Sequence, residues 1–502
     1  MSEADFDYAD VQGLVRFGYG HLKSASYSLL RIKNAAAARA WLRGALQSNA
    51  VTTAVKASPP PTTALNVAFT ASGLKELGLA PVVINGFSNE FIAGMTRESR
   101  ARQLGDIEEN APAQWDWGYA AKEPHLVVMF FAEKERFDAF VQNSIGAAWK
   151  EAFHEIDSLP TADLDGVEPF GFADGISQPE IDWGQQRESK DVRLDYTNIV
   201  ALGEFLLGYP NEYGKFTERP LLQADATTNE LLAALDEPGK KDLGRNGTYL
   251  VMRQLGQDVR KFWQFIDKQA GGDPAERDKL AAAMVGRKTD GEPLVPIRNE
   301  PIPGIDEKQA SKNQFTFDDD PAGARCPFGA HVRRANPRNA DFPERPANTL
   351  KKLITIAGFG PNRFRYDLMS SVRFHRILRR GREYGPSLKL VEALAPAPSD
   401  DPPRGLHFVC LNANISRQFE FLQNAWIAST KFAGVTGESD PLLGNRQSLP
   451  GCPVTGNFTM PGSSSLPRRV SGLPQFVTVR GSAYFFLPSL RALRYFAVVG
   501  NA

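Results

Sequence analysis

Short β-branched and aromatic runs alternate twice with helix-length amphipathic segments along this chain, and that alternation limits the possible folds more than any other feature. The first cycle has a strand at Ser26–Ile32, an Ala-rich helix at Asn34–Gln47 with Asn34 as its cap, and strands at Leu65–Thr70 and Pro124–Ala132. A long amphipathic helix is predicted after it, over Glu133–Glu155. The second cycle opens with a strand at Gly247–Arg253 and a helix at Asp258–Gln269. It continues through Gly405–Leu411, a helix at Arg417–Ala428 and a strand at Ala483–Leu487. Between the cycles, 181–245 is polar apart from the apolar run Glu204–Pro210 and a predicted helical turn at Glu230–Leu235. Segments near 290–350 and 386–404 are rich in Pro, Asp and Gly and read as wrapping loops. The expected class is α+β, with antiparallel sheets backed by helices and two copies of one plan, although no residue-level repeat joins them.

With 502 residues the chain has room for two such domains, and an apolar content of 42% with 32 Phe excludes a disordered polymer. Its 58 Lys and Arg cancel its 58 Asp and Glu, so no whole-chain field attracts nucleic acid or an anionic membrane. The longest apolar run, about His125–Ala132, is too short to cross a bilayer. Cys326, Cys410 and Cys452 are scattered, which excludes a disulfide framework and a zinc ribbon. With an N-terminus lacking a basic start and an apolar core, they predict a cytoplasmic location. A small, largely apolar or neutral ligand is then the default partner, and a histidine-dependent mechanism has six candidates.

Three clusters carry chemistry. In Gly171-Phe172-Ala173-Asp174-Gly175 two glycines bracket a carboxylate, which suits a tight loop facing a ligand and equally an Asx-turn. In Cys326-Pro327-Phe328-Gly329-Ala330-His331-Val332-Arg333-Arg334 an imidazole is set between backbone-fixing residues, with guanidiniums close behind; this presents a metal ligand or a structural His. In the third, Arg373, Arg376, Arg379, Arg380 and Arg382 are interleaved with Phe374, His375, Ile377 and Leu378, a pattern a fully solvated face does not need. His375 and Arg379, four apart, share a face as either helix or strand. Asp318-Asp319-Asp320 with a His offers a weaker alternative, a carboxylate metal site, although alternate residues of an extended chain point apart.

Taken together, these clusters resemble the dye-decolorising peroxidases. Gly171–Gly175 matches their Gly-x-x-Asp-Gly signature, Phe328–Arg333 with Asn336-Pro337-Arg338 their proximal haem segment, and Ile377–Gly381 with Tyr384-Gly385-Pro386 their distal arginine segment. Collinear weaker matches extend the resemblance over most of the chain: Asp10–Gly13, Leu207–Gly214, Asn246–Val251, Met284–Arg287 and Asp440–Gly444. The 157 positions from Asp174 to His331 and 48 from His331 to Arg379 resemble the long, insertion-rich branch of that family. The Asn that compact forms carry after the distal Arg is absent, since Arg380 and Gly381 follow Arg379.

The resemblance implies two ferredoxin-like domains of the dimeric α+β barrel type, residues 1–220 and 221–502, with haem between sheet and helices of the second. It implies one haem b per chain, reduction of hydrogen peroxide through an oxoferryl state, and one-electron oxidation of an organic reductant such as an anthraquinone dye or a phenolic. A haem carrier or sensor on the same scaffold is the alternative. His331 is implied as the axial iron ligand, with Asp440, or else Glu438, accepting its other N–H. Arg333 is expected to pair a haem propionate, Asp174 and Arg379 form the catalytic pair, and Leu406 and Phe408 narrow the distal pocket. Trp426 and Tyr384 are candidate electron relays, and the protein is expected to be a monomer or homodimer without nucleic acid or membrane partners.

Overall fold

The computed structural model describes residues 3, 6–185, 199–297, 312–317, 319–338, 371–447, 455–462 and 466–499. Its first half supplies strands β1 (Ser24–Ile32), β2 (Thr63–Phe69), β3 (Leu126–Ala132) and β4 (Phe153–Pro160), with helix α1 (Ala35–Gln47) after β1. They pair antiparallel in the order β4-β1-β3-β2. All seven residues of β3 are buried, because both of its faces are covered, and this is why the sequence there reads as an unbroken apolar run. Asn34 caps α1 as expected, its side chain accepting the Ala37 N–H at 3.1 Å.

The second half repeats the order. Strands β5 (Thr248–Gln257), the short β6 (Leu378–Arg379) and β7 (Arg382–Tyr384), β8 (Gly405–Asn412) and β9 (Val477–Leu487) pair with β6 and β7 beside β8, then β5, then β9. Helix α2 (Val259–Gln269) follows β5, and Asp258 caps it by accepting the Lys261 N–H at 2.9 Å. Both halves therefore share the strand order of a ferredoxin-like α+β unit, the repeat that no residue-level similarity revealed.

The halves join edge to edge, Phe486 of β9 opposite Phe69 of β2, in one nine-stranded sheet. That sheet curls so that its far ends meet: the Ala162 N–H donates to the Glu383 carbonyl at 2.7 Å, and the His407 ring contacts the Pro160 carbonyl at 3.1 Å. One face encloses a core of Tyr27, Phe131, Leu250, Val409 and Phe485. The other packs on helices, including α3 (His331–Ala335), a helical stretch with π turns across 416–428, and α4 (Leu490–Val498), whose Ala497 carbonyl accepts a hydrogen bond from Arg43 of α1.

Two expectations fail. The helix predicted over Glu133–Glu155 breaks at Ile145-Gly146 into Phe137–Ser144 and Ala147–Ala152, and from Phe153 the chain becomes strand β4. Edge pairing with β1 overrides the amphipathic period there. Glu230–Leu235 forms turns rather than a helix.

Candidate functional site

A cavity of about 280 Å³ lies on the helix-covered face of the second half. Asp174, Arg379, His331, Leu406 and Phe408, all singled out by sequence, line it and so converge on one space.

Asp174 reaches it from a loop in which Gly171 (φ 95°) and Gly175 (φ 75°) hold left-handed conformations, the backbone freedom the motif predicted. Arg379 Nη1 donates to Asp174 Oδ1 at 3.0 Å, and the Arg379 backbone N–H is fixed on Gln178 Oε1 at 3.0 Å. The Arg379 guanidinium holds the Asp174 carboxyl below the usual carboxylate range, against the upward push of burial. Leu406 and Phe408 alternate along β8 and oppose Leu255 and Arg253 of β5, so they form an apolar wall beside the acid–guanidinium pair.

Across the cavity His331 opens α3. Its Nδ1 lies 2.9 Å from Asp440 Oδ2, while Asp440 Oδ1 accepts the Leu442 and Leu443 amides, each at 2.9 Å. Asp440 is fully buried. Burial disfavours the His331 imidazolium, but the Asp440 carboxylate outweighs it and raises the pKa. With Nδ1 engaged, Nε2 is the ring nitrogen left for a metal. Glu438, the other acceptor considered, spends its carboxylate on the Thr459 amide at 3.1 Å and the Thr459 hydroxyl.

Arg333 is a correction. It is buried away from the cavity, where Nη1 donates to Asp320 Oδ2 at 2.9 Å and to the Cys326 carbonyl at 2.6 Å, between the rings of Phe317 and Phe328. Residues two apart on a helix point to different sides, and Arg333 does not line the cavity that His331 enters. That pairing also removes Asp320 from any metal site; Asp319 is exposed, and Asp318 lies outside the described residues. Among the described residues no group of three His, Cys, Asp or Glu is arranged for a metal ion.

Besides Arg379, paired with Asp174, and Arg253, paired with Asp106, the cavity is lined by Arg287 and Arg376. Arg287 Nη1 donates to the Gly291 and Lys312 carbonyls, both at 2.8 Å, but its buried Nη2 has no hydrogen-bond partner. Burial, with Arg379 nearby, pushes Arg287 down to about 10; burial, with Arg373 and Arg379, pushes Arg376 down to about 9. Buried guanidiniums without carboxylates are costly in the empty protein and complementary to an anionic ligand. An apolar wall, a free imidazole nitrogen and an orphaned guanidinium N–H together fit haem, whose flat ring, iron and propionates need those three features. Arg287 belongs to a quoted motif, Met284–Arg287, but its sequence neighbours carry no signal that it faces a ligand.

His375 also lines the cavity. It stacks on Phe421, with ring centroids 3.7 Å apart, and lies edge-on to Trp426 at 5.3 Å. Tyr384 stacks on His407 at 4.5 Å.

A family model described as "DyP dimeric alpha+beta barrel domain" matches residues 27–162. The "Dye-decolorizing peroxidase msp1" of Mycetinis scorodonius is 29% identical over 98% of this chain and 88% of that protein. The "Dye-decolorizing peroxidase AauDyP1" of Auricularia auricula-judae is 28% identical over 86% of this chain and 75% of that protein. A crystal structure of a fungal DyP-type peroxidase from Auricularia auricula-judae superposes with a TM-score of 0.72 at 25% identity, covering 98% of this chain and 99% of that one.

Proposed function

Because the chain belongs to the dye-decolorising peroxidase family, we propose that it binds one haem b, reduces hydrogen peroxide and oxidises bulky organic reductants such as anthraquinone dyes and phenolics by single electrons. The observation that carries this reading is the meeting, in one cavity, of the Asp174–Arg379 pair with the His331–Asp440 pair. A haem carrier or sensor needs the second pair and has no use for the first.

When bound, haem supplies an iron that accepts oxidising equivalents from peroxide and passes them to the reductant. His331 Nε2 would ligate that iron, and Asp440 would make the imidazole more electron-donating by taking its Nδ1–H. Arg287 and Arg376 would hold the propionates. Asp174, kept ionised by Arg379, takes the proton from one oxygen of hydrogen peroxide and returns it to the other, so that water leaves. Arg379, always charged, stabilises the negative charge that develops on the departing oxygen. Leu406 and Phe408 keep the approach narrow, so a dye is oxidised at the protein surface. The contact of Trp426 with His375, itself on the cavity wall, supports Trp426 as a relay, and Tyr384 is the second candidate.

Cytoplasmic placement is part of this reading, supported by two buried unpaired thiols, Cys326 and Cys410. No helix among the described residues is long and apolar enough to cross a membrane. The test is an absorption spectrum of the purified protein followed by peroxide with an anthraquinone dye. A histidine-ligated haem band with peroxide-dependent bleaching is expected; a haem band without bleaching would favour the carrier.

A further inference from the structure

Glu168 stands six residues before Asp174 and lines the same cavity, yet no step above uses it. Its carboxylate accepts three hydrogen bonds. The Phe172 amide donates to Oε1 at 3.0 Å, and the Phe170 amide and the Gln257 side chain donate to Oε2 at 3.0 and 2.8 Å. Its own N–H donates to the Phe172 carbonyl at 2.8 Å, and its carbonyl accepts the Gly171 N–H at 2.7 Å. The loop is thus tied around one side chain.

Everything that holds this loop leads on to Asp174. The rings of Phe170 and Phe172 pack on Phe262 and Trp263 of α2, and Trp263 Nε1 donates to the Phe170 carbonyl at 3.0 Å. Beyond them the Ala173 N–H reaches the Thr289 carbonyl at 2.9 Å and the Asp174 N–H the Gly166 carbonyl at 3.0 Å. Gln257, the last residue of β5, ties the carboxylate to the sheet that also forms the apolar wall.

We propose that Glu168 is a positioning residue for the peroxide reaction: its carboxylate gathers the Phe170 and Phe172 amides and the Gln257 side chain, and so sets Asp174 against Arg379. The inference rests on the peroxidase reading. A carboxylate offers acceptors on both oxygens, whereas the isosteric amide offers one oxygen and turns an N–H₂ toward one of the two loop amides, donor against donor. The charge environment agrees. Burial pushes the Glu168 carboxyl up to about 7, with its hydrogen bonds opposing the rise and the charge of Asp174 adding to it, while Arg379 draws Asp174 the other way. These two carboxyls are thereby kept apart in acidity, with His331 and Glu383 also in the field of Asp174.

The test is stopped-flow reaction of the haem-loaded protein with peroxide across pH, for wild type, Glu168→Gln and Gln257→Leu. Glu168→Gln is expected to keep the wild-type haem band and react roughly ten- to a hundredfold more slowly, since a small misplacement of a catalytic group is costly. Loosening Asp174 on Arg379 raises its acid limb while loss of the Glu168 charge lowers it, so the limb is read in Gln257→Leu, which keeps that charge; a merely structural lesion would leave it in place. Gln257→Leu, which removes the tether to β5 and keeps the Glu168 charge, is expected to slow the reaction by less and to move the acid limb to higher pH, and it carries the test if Glu168→Gln does not load haem. Rates within about twofold of wild type with an unmoved acid limb overturn the proposal. A wild type that does not react with peroxide overturns the peroxidase reading instead.

Discussion

Arg379 donates from Nη1 to Asp174 Oδ1 at 3.0 Å across 205 positions of sequence, and each side chain keeps 34% of its surface open to the cavity. The contact is close enough to set the acidity of the acid and open enough to leave both groups available to a small oxidant. In Arg379→Leu the largest depressing charge is gone and burial is opposed only by the Gly175 amide and His331, so the Asp174 pKa rises. The ionised form required for proton transfer is lost as pH falls through that pKa. The acid limb of the peroxide reaction should therefore move to higher pH, as read by stopped-flow rates.

Asp174→Asn keeps the size of the side chain and removes the proton acceptor. The peroxide step is expected to slow by about 10²–10⁴ with haem still bound. Unchanged kinetics would transfer the proton to water.

His331→Ala removes the imidazole that meets the cavity with Asp440 behind it. Loss of haem or of the histidine-ligated band is expected. Retention of that band would move the ligand to His375, the other histidine on the wall.

Asp440→Asn leaves the Leu442 and Leu443 amides an acceptor but takes the anion from behind His331. Such changes behind a metal ligand typically cost about 10- to 100-fold in affinity or activity. The iron potential should rise with them, and spectroelectrochemistry would show it; an unmoved potential would remove Asp440 from the electronic role.

Arg287→Gln tests the orphaned N–H. A hydrogen bond to a charged group is worth about 1.5–3 kcal/mol, so haem affinity should fall roughly ten- to a hundredfold. Haem dimethyl ester, which has no propionate charge, should bind wild type and variant alike. Equal losses for both ligands would mean that the substitution harms the cavity and not a carboxylate contact.

Much of this protein is legible in its sequence. The alternating strands and helices, the two glycines around Asp174 and the backbone-fixing residues around His331 are local signals, and local signals survive in one dimension because they record what a few neighbouring φ and ψ angles can do. Even Asp440, 109 positions from His331, was reachable through the motif that carries it. What the chain alone left open depends on which way side chains turn once packed. Arg333 and Arg287 are equally arginines beside recognisable motifs, and the helical phase of α3 turns the first onto Asp320 while the fold leaves an N–H of the second without a partner at the cavity. The break that makes Phe153–Pro160 a strand, and the loop wound on Glu168, were likewise decided by the tertiary structure. In each case the deciding partner, β1 for the strand and Gln257 for the loop, is distant in sequence and becomes a neighbour only once the sheet has folded.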